Sequence, residues 1–189
     1  MKTIANLLFE AKMLKEIPRS GFHFLGSGKE SIAEHTFSTT FIAYVLAQLQ
    51  PEADALKLIS MCLIHDLAEA RTGDLNSVHK LYVTADEDKA LEDTTSGLAF
   101  GSAITDLIQE FNQNSSLEAR LAHDADQIAL ILELKYLSDI GYTPPDMWLP
   151  HVLGRIQTKI AKDITHAIMQ THRDEWWLNN VVDSDWRND

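Results

Sequence analysis

The sequence predicts an all-α fold. Only 8 Gly and 5 Pro fall among 189 residues, and the long stretches between them are rich in Ala, Leu, Ile, Glu and Lys, mostly strong helix formers. Apolar residues recur every three or four positions, with no run of strict alternation that would read as a strand. A bundle of about six main helices follows from this pattern.

The first helix spans about residues 3–14, with Ile4, Leu7, Leu8 and Ala11 at helical spacing. Pro18, Gly21, Gly26 and Gly28 then mark an irregular loop. Ser31-Ile-Ala-Glu34 is a capping-box pattern, so a second helix starts at Ile32 and runs until Pro51 stops it, placing His35 in its first turns. A third helix, about 53–70, carries Leu56, Ile59, Leu63 and Leu67 and ends at Thr72-Gly73-Asp74. A fourth covers about 87–111, weakened by Gly97 and Gly101. A fifth begins after Ser115, where Ser115-Ser-Leu-Glu118 again resembles a capping box, and ends near Gly141. A sixth, about 148–171, has the clearest apolar stripe: Val152, Ile156, Ile160, Ile164, Ala167 and Ile168. The tail from Trp176 to Asp189 has little pattern and either packs through Trp176 and Trp177 or frays. No linker divides the chain, so 1–189 reads as one domain.

Net charge excludes one class of partner. Lys plus Arg number 16 against 28 for Asp plus Glu, a net charge of −12, and no stretch supplies the basic footprint that a nucleic-acid polymer requires. No apolar run approaches a membrane span. The N-terminus is interrupted by Asn6, Glu10 and Lys12 and does not read as a signal peptide. The single cysteine, Cys62, excludes an internal disulfide and fits a reducing compartment, so the expected location is the cytoplasm.

The fifth helix is apolar nearly all round: Leu121, Ala125, Ile128 and Leu132 cover one side, and Leu130, Leu134 and Leu137 the other. It should form the centre of the bundle. Asp124 and Asp126 nonetheless lie in it, and a carboxylate there needs a cation or strong donors to stay charged. Either Asp could instead cap a neighbouring helix or pair with an Arg. On the third helix, His65, Asp66 and Glu69 share a face with Cys62. An adjacent His-Asp pair can chelate a divalent ion, leaving Glu69 one turn along to handle protons. A His-Asp dipeptide alone is a weak signal, however, and this chain has a second in His123-Asp124. Composition does not choose between them.

The ordered set is more informative: His35 near a helix start, His65-Asp66 on the next helix, and a lone Asp on a later buried one. This arrangement resembles the HD-domain superfamily of metal-dependent phosphohydrolases, whose signature is H…HD…D in an all-helical fold. The segments Leu14-Lys-Glu-Ile-Pro18-Arg19-Ser-Gly21, Ser31-Ile-Ala-Glu34-His35, His65-Asp66-Leu-Ala-Glu69-Ala-Arg-Thr72-Gly73-Asp74-Leu75 and Ala125-Asp126-Gln127 together look like its 5'-deoxynucleotidase branch. The resemblance covers roughly residues 14–141, with helix 148–171 packed on that core.

The resemblance implies His35, His65, Asp66 and Asp126 as ligands of one divalent metal ion, with Glu69 and Asp74 as the catalytic acidic pair and Arg19 as the contact to the substrate phosphate. Such a ligand set suits Mn, Co or Mg without naming one. The ion would polarise a phosphoryl oxygen, and Arg19 could meet two phosphate oxygens at once. Asp126 is preferred over Asp124 because the family's late Asp follows a small or apolar residue and precedes a short polar-apolar run. The expected substrate is a small nucleotide, a (deoxy)nucleoside 5'-monophosphate cleaved to nucleoside and phosphate, and the expected assembly is a homodimer.

Two departures stand out. Relatives usually carry a Trp near the sugar after the loop Arg, where this chain has Phe22, which the resemblance therefore implies as a substrate contact. After Leu75 relatives often continue with Pro, whereas Asn76-Ser-Val-His79 follows here. Alternatives on the same scaffold are a phosphodiesterase or pyrophosphohydrolase and a two-iron oxygenase, for which His79 and His123 are the extra His candidates; outside catalysis, a metal-stabilised regulatory protein remains. His79, His151, His166 and His172 otherwise read as surface or structural, and Cys62 as a buried apolar filler.

Overall fold

A computed structural model describes residues 1–185 of the chain. Among these residues the regular elements are helical, with one isolated β-bridge between Pro18 and Ser31. The helices are α1 (Lys2–Met13), α2 (Phe22–Leu25), α3 (Ile32–Leu49), α4 (Ala55–Ile64), α5 (Glu69–Thr72), α6 (Glu87–Thr95), α7 (Gly101–Gln113), α8 (Leu117–Asp139), α9 (Pro145–Leu153), α10 (Lys159–Gln170) and α11 (Glu175–Asp185). A single 3-10 turn spans His79–Leu81.

The expected all-α class holds, but three predicted helices are each divided in two, and residues expected as loop or tail form α2 and α11. The third breaks after Ile64, where a turn through Asp66 separates α4 from α5. The fourth breaks at residues 96–100, where Gly97 takes φ +73°, a backbone region open to Gly at no steric cost. The sixth breaks at 154–158. Its apolar stripe keeps phase across that break, which is why periodicity alone reads it as continuous. Residues 186–189 of the expected tail lie outside the described residues.

Helix starts follow local chemistry. Ser31 accepts the Glu34 N–H at 3.2 Å while the Glu34 carboxylate accepts the Ser31 N–H at 2.7 Å, the expected capping box. The start of α8 differs from expectation. Its cap is Ser116, which accepts from Ala119 N at 3.0 Å, and Glu118 reaches across to accept the Asp54 N–H at 2.9 Å instead of closing a box.

Helix α8 is the centre, as its all-round apolar pattern predicts: Leu121, Ala122, Ala125, Ile128, Ile131 and Leu134 are buried. One half packs with Leu46, Leu58 and Met61 of α3 and α4, and the other with Leu149, Val152 and Ile156. A smaller cluster of Leu14, Ile32 and Leu67 seats the chain after α1 beneath the start of α3. There the Arg19 N–H donates to Glu30 O at 2.8 Å and Ile32 N–H to Ile17 O at 2.9 Å, so the Arg19 loop lies alongside the entry to α3.

Asp124, fully buried in α8, accepts from Gln157 N (2.7 Å), Thr158 N (2.8 Å) and Thr158 Oγ1 (2.6 Å). These N–H groups are drawn out of any continuous helix, which explains the break between α9 and α10. Asp124→Ala leaves three partly buried donors unmet, and we expect a loss of about 3 kcal/mol. Thermal denaturation should show a midpoint lower by roughly 10 °C.

Candidate active site

Three helices, α3, α4 and α8, and the turn after α4 deliver the residues that the H…HD…D pattern singled out. His35 lies in the second turn of α3, fully buried, because the Ser31 cap fixes where that helix begins. Its Nε2 sits 2.9 Å from Asp126 Oδ1, 3.9 Å from Asp66 Oδ2 and 3.3 Å from Thr39 Oγ1. His65 closes α4. Its Nδ1 is 2.8 Å from the Cys62 carbonyl, which can only accept, so Nδ1 carries a proton and Nε2 points into the site. Asp126 projects from α8, where its Oδ2 accepts from Gln127 Nε2 at 2.7 Å.

His35, His65 and Asp126 each present one donor atom, all within 4.8 Å of one another, a group that could hold a metal ion. Asp66 stands beside this group: its Oδ2 lies 3.2 Å from His65 Nε2 and 3.6 Å from an Arg19 nitrogen. The buried atoms His65 Nε2, Asp66 Oδ2 and Glu69 Oε2 all lack a hydrogen-bond partner. Unmet buried polar atoms of this kind are costly unless a cation or ligand meets them, so the residue set fits a divalent ion in both chemistry and need.

The electrostatics agree with a shared, desolvated cluster. Burial would raise the Asp126 pKa, but its hydrogen bond to His35, with the charges of His35, His65 and Arg19, holds it well below the carboxylate range. Burial lowers the His35 pKa more than Asp126 raises it. At His65, Asp66 outweighs burial and brings the pKa up to about 9. Glu69 is pushed up to about 9 by burial first, and then by the carboxylates of Asp66 and Asp74. Burial would weaken the charge on Arg19, but Asp126, Asp66 and Asp74 more than offset it.

Arg19, His65, Asp66, Glu69 and Asp126 line a cavity of about 680 Å³, with His35 fully buried and off its surface, a volume within the usual range for small-molecule sites. Arg19, Glu69 and Asp74 edge its polar end, while Phe22, Leu130 and Trp148 supply apolar wall. Gly73 takes φ +72° to end α5 and turn Asp74 inward. There Asp74 Oδ2 accepts the Ser20 N–H at 2.6 Å, so Asp74 also anchors the Arg19 loop. Phe22 is 8% exposed and belongs equally to the core beside Leu25 and Leu149.

The second His-Asp pair is tied to other partners, although His123 also lines the cavity. His123 Nε2 donates to the Phe111 carbonyl at 2.8 Å with its ring stacked on Phe111, and Asp124 holds α10. Sequence reasoning missed the contribution of α9 and the turn after it: Trp148 and His151 of α9 and Arg155 beyond its end all line the cavity. His151, read as surface or structural, is exposed yet sits on this rim. It also missed Glu30, buried behind His35. Nothing in the local sequence marks these residues, because they arrive through packing between distant helices.

The model of the HD domain family matches residues 11–168. This chain belongs to the HD-domain family. A human protein named 5'-deoxynucleotidase HDDC2 is 26% identical to this HD domain over 137 residues, covering 69% of this chain and 66% of that protein. The Dictyostelium discoideum protein of the same name is 31% identical over 135 residues, with coverage of 64% and 70%. The match thus spans about two thirds of the length of these curated relatives. Among solved structures, a conserved hypothetical protein from Pyrococcus furiosus superposes with a TM-score of 0.77 at 27% identity, covering 88% of this chain and 99% of that one.

Proposed function

We propose that this HD domain is a metal-dependent phosphohydrolase that cleaves (deoxy)nucleoside 5'-monophosphates to nucleoside and phosphate. One observation carries the reading: a His35/His65/Asp126 donor cluster opens, through His65 and Asp126, onto a ligand-sized cavity that is also lined by a cation, Arg19, and by Glu69, an acid with a partnerless oxygen. The name borne by the curated relatives supports the nucleotide. His35, His65, Asp66 and Asp126 would hold one divalent ion, Mn, Co or Mg. Such an ion supplies positive charge that polarises a phosphoryl oxygen and acidifies water.

The chain's own groups do the rest. Arg19 binds the phosphate through two oxygens and offsets the acidic field of a chain with net charge −12. Asp74, held by Ser20, orients the attacking water and takes its proton. Glu69, whose pKa in the metal-free fold is raised to about 9, is the acid placed to give a proton to the leaving 5'-oxygen. Water and phosphomonoester become alcohol and phosphate with protons balanced. Trp148 and Phe22 offer flat apolar surface to base and sugar, with Trp148 entering from α9 where the loop after Arg19 lacks a Trp.

Helix α3 exposes Phe37, Phe41, Tyr44, Val45 and Leu49 along one face, an apolar stripe suited to a second copy of this chain. We assign it to a homodimer, whose mass light scattering would read. Among the described residues no helix is long and apolar enough to cross a membrane, and Cys62 is free and buried, in keeping with the cytoplasm.

Phosphate release from a panel of ribo- and deoxynucleoside 5'-monophosphates, with Mn, Co or Mg added, tests the reading. Metal-dependent release is expected. Silence across the panel with metal bound would overturn it and turn attention to diesters and pyrophosphates. In the same assay Arg19→Ala should raise KM about 10- to 100-fold, the worth of a charge-assisted contact, and an unchanged KM would remove Arg19 from the phosphate.

A further inference from the structure

The two histidines of the donor cluster are supported differently. His65 is fixed from behind by the Cys62 carbonyl, 2.8 Å from its Nδ1. His35 is more deeply buried, yet its Nδ1 has no hydrogen-bond partner. The acidic oxygen facing that nitrogen is Glu30 Oε2, at 3.8 Å, which is too long for a hydrogen bond.

Glu30 is 7% exposed, an unusual place for a carboxylate unless something requires it. Its backbone is tied down on both sides: its carbonyl accepts the Arg19 N–H at 2.8 Å, and the next residue, Ser31, caps α3. The side chain is therefore delivered beneath the first turns of α3 by two fixed anchors. A neutral imidazole that gives its Nε2 lone pair to a cation must carry its proton on Nδ1. Buried there, that N–H needs an acceptor, and a small rotation of Glu30 brings one.

We propose that Glu30 is the positioning residue for His35, accepting its Nδ1–H and so aiming Nε2 at the metal, the task that the Cys62 carbonyl performs for His65. This rests on the metal site put forward under Proposed function. It also gives one residue two duties, since the Glu30 backbone holds the Arg19 loop while its carboxylate backs His35.

Titration calorimetry with Mn alone, on the whole protein without substrate, tests this. Glu30→Ala should weaken Mn binding about 10- to 100-fold, the usual cost of losing an outer partner of a ligating His. Glu30→Gln keeps an acceptor oxygen at nearly the same place and should lose less. The metal-free thermal midpoint of either variant should change little, because Glu30 Oε2 stands 3.8 Å from His35 Nδ1, too far for a hydrogen bond. Unchanged affinity in both variants would overturn the proposal. An equal loss in both would also overturn it, pointing to charge alone. Should Glu30→Ala fail to fold, Glu30→Met, which keeps the bulk and removes the acceptor, takes its place, and affinity equal to that of the unaltered protein overturns the proposal. Absence of Mn binding by the unaltered protein would overturn the metal site itself, and this proposal with it.

Discussion

Asp66→Ala should abolish metal binding and turnover together while leaving the fold intact. Asp66 Oδ2 is the oxygen shared by the cluster, 3.2 Å from His65 Nε2, 3.9 Å from His35 Nε2 and 3.6 Å from Arg19. Without it two imidazoles and one carboxylate remain around the proposed ion. The Arg19 guanidinium then stands over the site without its counter-charge, and cation next to cation disfavours loading further. We expect no bound Mn, Co or Mg by elemental analysis after desalting, and phosphate release reduced at least about 10³-fold, the range lost when a preorganised charge at the reacting centre is removed.

The matching variant in the other His-Asp pair sharpens the result. Asp124→Ala should cost stability and keep the metal, because Asp124 contacts the start of α10 and not the cluster. Asp66→Ala should do the reverse. Metal retained by Asp66→Ala would leave His35, His65 and Asp126 as a sufficient set and remove Asp66 from the ligands.

The same pair shows what the sequence could and could not tell. Asp124 and Asp126 are two residues apart, so they leave α8 about 200° apart and meet entirely different neighbours. Composition offers no way to assign them, whereas the family pattern selects Asp126, and the structure brings Asp126 to His35 and Asp124 to α10. The helical class was legible because α3, α8 and α10 repeat their apolar residues at helical spacing. Their interruptions were not, because the phase of the stripe survives at 154–158 while the backbone leaves the helix to satisfy Asp124. The cavity's polar end was legible from adjacent residues such as Asp66 and Glu69. Its far wall was not: Trp148, His151 and Arg155 lie more than 70 positions from Asp74 in sequence and reach it only through the packing of α9 on α8.

Glu69→Gln should keep the metal and lose about 10²- to 10⁴-fold in turnover, the usual share of a positioned proton donor. Gln preserves shape and hydrogen-bonding atoms but holds no transferable proton, so the loss should fall on kcat with KM little changed. The stability of the metal-free protein gives an independent reading of the same residue. Glu69 is pushed from its ordinary 4.5 up to about 9 in the fold. Between those values the unfolded chain has released this proton while the folded chain still holds it, so stability falls as pH rises across the window. Removing the acid removes that slope. The thermal midpoint of Glu69→Gln, measured with a chelator present, should match the unaltered protein near pH 4.5 and exceed it by an amount that grows toward pH 9. His65 and Glu30, whose pKa values are raised to about 9 and about 7, tilt both proteins alike and largely drop out of the difference. A difference that does not grow with pH would mean that Glu69 is ionised in the fold and cannot be the proton donor, and metal lost from this variant would place Glu69 among the ligands. The two expected results together, turnover lost and the metal-free midpoint raised, describe a site that gains stability when its acid is neutralised and loses its chemistry for the same reason, the trade expected where function requires a buried group that the fold alone would not choose.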